Sequence, residues 1–326
     1  MKAILVNQPG GPEQLILSEY EQPVPKPHEL LVRVHATALN RADLLQRQGK
    51  YPPPAGASPL LGLEIAGEIA AAGAACTKYK VGDKVFGLLS GGGYAEYAVI
   101  DEAMAMPVPE NLSMDEAAAI PEVFLTAYQA LVWLGNLQAD ERVLVHAGAS
   151  GVGTAAIQLA REIGAEVYVT ASAAKHDTCL ALGATRAIDY KAASFKEEIL
   201  EHTHQQGVDL IIDFISGPYF ADNIDCLRLD GRLVLLASLG GGKVEYFDLR
   251  KILIKRLQVM GSTLRSRSRD YQVRLTQDLS AFALERFRSG RLKPIIDSVL
   301  DWQDVAEAHY YMEANKNTGK IVLRVV

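Results

Sequence analysis

The rhythm of apolar and polar positions changes part-way along this chain. Up to about residue 120 the apolar positions fall in short runs broken by glycine and proline: Ala3 to Val6, Leu30 to Ala36, Ile65 to Ala72, Lys84 to Leu88 and Tyr94 to Val99. Such runs, bounded by turn residues, predict strands. This half is therefore expected to form an irregular β-rich domain. The stretch KYPPPAGASP, Lys50 to Pro59, is too rich in proline for any regular element.

From Val143 onward, apolar runs alternate with helical spacing. Strands are predicted at Val143 to Ala147, Glu166 to Thr170, Arg186 to Ile188, Val208 to Asp213, Arg232 to Ala237 and Leu257 to Gly261. Helices lie between them, the first over Thr154 to Ile163 and others starting at Lys175 and Ser194. Strands joined by helical crossovers imply an α/β fold with a doubly wound parallel sheet covered on both faces. After about Arg265 one more helix and a final IVLRVV strand are expected, the strand returning to the first domain.

The first of these strands runs into VLVHAGASGVG, Val143 to Gly153. Small residues at Gly148, Gly151 and Gly153 let the backbone turn tightly and approach a pyrophosphate, while free N–H groups at the helix start face the anion. Ser150 stands where the strict GxGxxG pattern has its middle glycine, and its hydroxyl is read as a further phosphate or cofactor contact along with Gly151, Val152 and Gly153. His146, inside the strand, reads as a satisfied core histidine rather than a general base.

In this architecture a carboxylate closing the second strand takes the ribose 2′-hydroxyl and marks NAD. Here that strand ends VTASAAK, Thr170 to Lys175, with no carboxylate before Asp177. Thr170, Ser172 and Lys175 are thus candidate cofactor contacts, the last two suited to a 2′-phosphate, and the expected cofactor is NADPH. The plainer alternative is that Ser172 caps the next helix and Lys175 is a solvated charge. Tyr190, after the third strand, is a candidate for the adenine face or phosphate, or else core-edge packing. The segment SLGGG places Ser238, Leu239 and Gly240 after the fifth strand, either near the nicotinamide ribose or as a flexible turn.

Length and charge narrow the partners. At 326 residues two domains are the default. A formal net charge of -6 gives no electrostatic footprint for nucleic acid. The start, MKAILVNQPGG, lacks the apolar core of a signal peptide, and no segment is long and apolar enough to span a bilayer. Cys76, Cys179 and Cys226 are widely spaced with no CxxC, which argues against a disulfide framework or a cysteine zinc site and favours the reducing cytoplasm.

A second motif, GLEIAGEIAAAGAACTKYKVGDKV from Gly62 to Val85, resembles the medium-chain dehydrogenase/reductase signature in which GHE and two later glycines lead to GDxV. Zinc members of that family carry a histidine in GHE and a cysteine earlier, and here those places are filled by Leu63 and by LNRAD, Leu39 to Asp43. No metal is expected, because zinc needs at least three suitable ligands. With QRQGKYPPP, AAAIPEVFLTAYQAL and MEANKNTGKIVL, the chain resembles zinc-free quinone oxidoreductases, most closely the p53-inducible quinone oxidoreductase group.

The resemblance implies a GroES-like β-rich catalytic domain (1–120 and 266–326), a Rossmann NADPH-binding domain (121–265), a quinone substrate held in the interdomain cleft, and a homodimer formed through an edge strand near Leu257 to Gly261. It implies Tyr51 and Asn40 as catalytic residues, with Asp43 nearby, and Thr126, Thr263 and Leu264 as cofactor contacts. Each has a duller alternative: Asn40 and Asp43 as a helix cap, Tyr51 as a loop anchor, Thr126 as a helix residue bonding its own backbone. The RSRSR run, Arg265 to Arg269, reads as a solvated basic stretch or as one arginine meeting cofactor phosphates or an acidic substrate group. Two other functions share these features: an NADPH-dependent double-bond reductase of α,β-unsaturated ketones, and a non-catalytic, crystallin-like NADPH-binding protein.

Overall fold

The computed structural model describes residues 1–325 and contains two compact units, 1–125 with 265–326, and 126–264. The first passage from one to the other falls inside the helix Pro121–Tyr128.

In the first unit, β1 (Lys2–Val6) and β2 (Leu15–Glu19) form an antiparallel pair. They are followed by β3 (Glu29–Ala38), β4 (Glu64–Ala72), β5 (Lys84–Leu88), β6 (Tyr97–Asp101) and β7 (Ala105–Pro107). The second unit supplies β8 (Arg142–Val145), β9 (Glu166–Ala171), β10 (Arg186–Asp189), β11 (Val208–Asp213), β12 (Leu227–Leu235) and β13 (Gln258–Gly261). The chain then returns to the first unit for β14 (Ile296–Asp301) and β15 (Lys320–Arg324).

Those last two strands complete a seven-stranded sheet ordered β14-β15-β3-β4-β5-β7, with β6 also on β3. The pairing of β15 with β3 confirms the expected return of the IVLRVV strand. The expectation of a single helix after Arg265 is corrected: two form, Arg269–Arg288 and Val305–Glu313, with β14 between them. Beneath the sheet, Ile4, Leu44, Leu61, Tyr94, Trp302 and Ile321 pack as one cluster drawn from both ends of the sequence. Each such side chain contributes roughly 1.5–3 kcal/mol on burial.

All six strands of the second unit are parallel, in the order β10-β9-β8-β11-β12-β13. Successive strands run outward from β8 in one direction and from β11 in the other, so the order reverses between these two. Helix Gly151–Ile163 follows β8 and buries Ala155, Ala156, Leu159 and Ala160, the small and branched faces that let it lie close to the sheet. It ends at Gly164, whose φ of 94° forms a left-handed cap. Among the described residues no helix is long and apolar enough to cross a membrane.

Candidate active site and cofactor edge

In a parallel sheet every strand ends on the same side, and the reversal point beside β8 is where such sheets hold ligands. Most of the candidate cofactor residues read from the sequence in the second unit share that edge. Ser150, Gly151, Val152 and Gly153 follow β8; Thr170 closes β9, with Ser172 and Lys175 beyond it; Tyr190 follows β10; Ser238, Leu239 and Gly240 follow β12. No carboxylate stands between the end of β9 and Asp177.

The turn after β8 is tightly determined. Ala147 adopts φ 51°, Ser150 N–H donates to the Ala147 carbonyl at 2.9 Å, and Ser150 Oγ caps the helix by accepting the Gly153 N–H at 3.1 Å. Ser150 is thus first an N-cap, with its hydroxyl proton left for an acceptor such as phosphate. A Cβ at Gly153 would lie 2.4 Å from the Ala147 carbonyl oxygen and 2.5 Å from that of Gly148, so helix and turn close only around glycine. A ready cluster of N–H groups, a small-residue wall and a lysine one strand away fit a dinucleotide phosphate.

His146 and Thr170 are absorbed by a buried chain of hydrogen bonds. The Asn223 amide nitrogen donates to Asp213 at 3.0 Å, which leaves its oxygen to accept from His146 Nε2 at 2.7 Å. His146 Nδ1 then accepts from the Thr170 hydroxyl at 3.0 Å, and Thr170 Oγ1 accepts the Ala147 N–H. Burial holds His146 below the usual histidine range, against the opposing pull of Asp213. The imidazole is neutral and structural, as the sequence reading has it. Thr170, likewise, spends its hydroxyl on the turn rather than offering it to a ligand.

Asp213 also accepts the N–H groups of Ile215 and Ser216, fixing a turn in which Ser216 has φ 64°. Leu239 and Gly240 donate to the carbonyls of Phe214 and Ile215. The SLGGG segment is therefore laced to the end of β11, not a free turn. Tyr190 is exposed, with the Lys191 ammonium 5.9 Å over its ring. Thr126 is buried in its helix, Leu264 is buried and Thr263 is exposed.

The first unit carries a second polar centre, around the GLE of the signature. Gly62 takes φ 94°, and a Cβ there would meet Gly93 and Tyr94 backbone at 2.6 Å, so the motif's first glycine is sterically required. Asn40 caps helix Arg41–Arg47, and Asp43 accepts its N–H at 2.8 Å and that of Gly62 at 3.0 Å. Burial pushes the Asp43 carboxyl up to about 6, with those two N–H groups opposing. The capping alternative is thus realised for this pair.

Glu64 and Lys320 are the residues that sequence reasoning passed over. The Lys320 ammonium, 3% exposed, lies 2.7 Å from Glu64 Oε1, which is itself fully buried, and donates to the Leu39 carbonyl at 2.6 Å and to Asn40 Oδ1 at 2.7 Å. Asn40 Nδ2 donates to Glu64 Oε1 at 2.8 Å and to the Ala38 carbonyl at 3.2 Å, and Glu122 N–H donates to Glu64 Oε2 at 2.9 Å. Both amide hydrogens and the oxygen of Asn40 are committed, so its catalytic reading is corrected to that of a frame residue. The signal was available: charges at the heads of the apolar runs EIAGEIA and KIVLRV have to find each other.

This centre does not fit zinc. Leu63 is apolar and buried, both Glu64 oxygens are taken, and among the described residues no group of three or more His, Cys, Asp or Glu is placed to hold a metal.

Tyr51 stands apart from that closed network. It is half-buried in the proline-rich loop, which forms no regular element, and no group among the described residues hydrogen-bonds its hydroxyl. Arg265 Cζ lies 5.5 Å over its ring. The rest of the basic run is engaged elsewhere, Arg267 over the Tyr271 ring and Arg269 on Asp101 at 2.5 Å.

Residues 26–110 match the alcohol dehydrogenase GroES-like domain, and residues 151–280 match the zinc-binding dehydrogenase domain. A human quinone oxidoreductase is 32% identical over 331 residues, covering 99% of this chain and 97% of its own. The chain belongs to the quinone oxidoreductase family of medium-chain dehydrogenases/reductases. It pairs a GroES-like domain with a Rossmann-like one. Among solved structures, a mycobacterial protein complexed with NADPH is 27% identical with a TM-score of 0.89, covering 100% of both chains. The CurK enoyl reductase is 29% identical with a TM-score of 0.88, covering 99% of this chain and 98% of its own.

Proposed function

We propose that this oxidoreductase is a cytoplasmic NADPH-dependent quinone reductase that works without zinc by direct hydride transfer. The observation that carries the reading is the pairing of a closed, metal-unfit Glu64–Lys320 centre with an uncommitted Tyr51 phenol beside a cation. A quinone needs no Lewis acid, only orientation and a proton for the oxygen that gains charge.

When bound, the reduced nicotinamide supplies the hydride. The chain's own residues do the rest. The N–H groups of Gly151 and Val152 and the Ser150 hydroxyl would hold the pyrophosphate where the Gly153 backbone lets it approach, and Ser172 with Lys175 the 2′-phosphate; Tyr190, the Ser238–Gly240 backbone, Thr126, Thr263 and Leu264 complete the proposed cofactor contacts. Tyr51 holds the carbonyl oxygen of the acceptor and donates its phenolic proton to it. The same phenol serves an enone, so double-bond reduction is the second reading, favoured by the likeness to the enoyl reductase.

Steady-state rates with 1,2-naphthoquinone, 1,4-benzoquinone and a simple enone test it, with NADPH and NADH, on protein checked by elemental analysis. The expected result is quinone turnover with NADPH and no stoichiometric zinc. An enone preference of about tenfold, a large fraction of what a rebuilt contact supplies, overturns the quinone assignment, and tight NADPH binding without turnover makes the protein a binder. In the same assay Lys175→Ala is expected to weaken NADPH by about 1.5–3 kcal/mol, a charge-assisted contact, and to leave NADH nearly unchanged. An equal effect on both removes Lys175 from the phosphate site.

We also propose a homodimer through the edge of the second unit's sheet. β13 is its terminal strand, and Leu249, Leu253 and Ile254 before it are each more than 70% exposed. Light scattering is expected to return twice the 35.4 kDa chain mass; a monomer at micromolar concentration refutes it.

A further inference from the structure

Arg265 is a buried cation with an unusual set of partners. The residue is 7% exposed, and its Nε and Nη2 both donate to one acceptor, the Ser90 carbonyl, at 2.9 and 2.7 Å. Its Nη1 is buried and has no hydrogen-bond partner. Among the described residues no carboxylate forms an ion pair with the guanidinium; burial disfavours its charge, and Asp43 and Tyr51 favour it from a distance. A charge held in low dielectric without a counter-ion is costly to keep, and it is stabilised by any anion that forms nearby.

One place for such an anion is the Tyr51 phenol. The guanidinium carbon lies 5.5 Å over that ring. The bidentate hold on Ser90 fixes the cation in place, because Ser90 precedes Gly91, whose backbone is wedged against the carbonyls of Ser58 and Leu60 in the loop that carries Tyr51. Burial opposes ionisation of Tyr51, Arg265 favours it, and one further charge, Glu122, opposes it.

We propose that Arg265 is the positioning residue for Tyr51, its fixed charge favouring release of the phenolic proton to the oxygen of a carbonyl acceptor. The inference rests on the reading of Tyr51 as proton donor given above. As the acceptor gains its electron pair from the reduced nicotinamide, its oxygen becomes an anion. The Tyr51 O–H bond breaks, a new O–H bond forms on the acceptor, and the phenolate left behind is stabilised by Arg265 until water returns a proton. The charge is in place before the reaction, so it costs no reorganisation when the oxygen becomes negative.

The test uses tyrosines labelled with carbon-13 at Cζ, with Tyr51→Phe assigning the resonance. Arg265→Gln keeps a donor for the Ser90 carbonyl and removes the charge; Arg265→Met removes both, and Arg265→Lys keeps the charge. The first two are expected to raise the Tyr51 pKa by about 1 unit or more, the effect of losing a nearby opposite charge. They are also expected to lower kcat for quinone about tenfold or more with KM within about threefold, and to have no further effect in the Tyr51→Phe background. Arg265→Lys is expected to restore both values. An unchanged Tyr51 pKa in either folded variant overturns the proposal whatever the activity. So does a normal kcat in Arg265→Gln when Tyr51→Phe is impaired. Full activity in Tyr51→Phe overturns the donor reading itself, and the titration shift tells the two failures apart.

Discussion

Replacing Lys320 with methionine is expected to destabilise the protein by about 3–5 kcal/mol, the usual cost of removing one member of a buried ion pair. The methionine fills similar space but leaves Glu64 as a buried carboxylate whose positive partner is gone. The remaining donors, Asn40 Nδ2 and the Glu122 N–H, are neutral. Asn40 Oδ1 and the Leu39 carbonyl lose their donor too. Urea unfolding reads the effect as a lower midpoint for the 1–125 and 265–326 unit. The double variant Lys320→Met with Glu64→Leu is expected to recover much of the loss, because an apolar pair of similar volume has no charge to desolvate. A midpoint within about 0.5 kcal/mol of the parent, the range of an ordinary surface change, would show that the pair holds nothing together.

Gly153→Ala should be nearly as disruptive, and its damage should fall on the cofactor. The atoms a Cβ would strike are all backbone, the carbonyl oxygens of Ala147 and Gly148 and the Gly148 carbonyl carbon at 2.6 Å. No side chain can swing aside. The start of helix Gly151–Ile163 must instead slide away from the turn, carrying its N–H groups with it. We expect a stability loss of about 1–3 kcal/mol, as for other overpacked sites, and at least about tenfold weaker NADPH binding by fluorescence, since several phosphate contacts shift together. Gly261→Ala is the control. A Cβ there meets nothing within 4 Å, so both readouts are expected to stay at parent values. Unchanged NADPH affinity in Gly153→Ala would take the turn out of the binding site.

The parallel sheet was plainly legible because its strands are short apolar runs punctuated by turn residues. Val208–Asp213 is bounded to the residue, as is Lys84–Leu88 in the antiparallel pairing of the other unit. The losses have physical causes. β2, LILSE, carries exposed Ile16 and Leu17 on a two-stranded pair, so its burial signal is weak. β12 begins at Leu227, before the glycine at which a run would be started by eye. β14, IDSVLD, is an edge strand with no fully buried position, so no apolar run marks it off between the two helices.

The site was legible in a different measure. Glycine positions and the missing acid after β9 are local facts, and a sequence states them directly. What decides the role of Asn40 is not local: its amide is claimed by Glu64 and by Lys320, 280 positions away. Arg265 was visible only as one of three arginines in a basic run. Its burial, its hold on Ser90 and its place over Tyr51 come from 175 and more residues upstream, where no spacing rule reaches.

The return of β14 and β15 to the first unit sets an order of events during synthesis. Residues 126–264 contain every strand of their own sheet, and that unit can close while the ribosome is still adding the remainder. The earlier half of the chain has no such freedom. The Ala36–Ala38 end of β3 lacks its partner strand and Glu64 lacks its counter-charge until Lys320 has left the exit tunnel. β15 is therefore a latch: a nascent chain stalled before it carries one finished domain and one that holds an unpaired sheet edge and an uncompensated carboxylate, the kind of species that chaperones and proteases recognise.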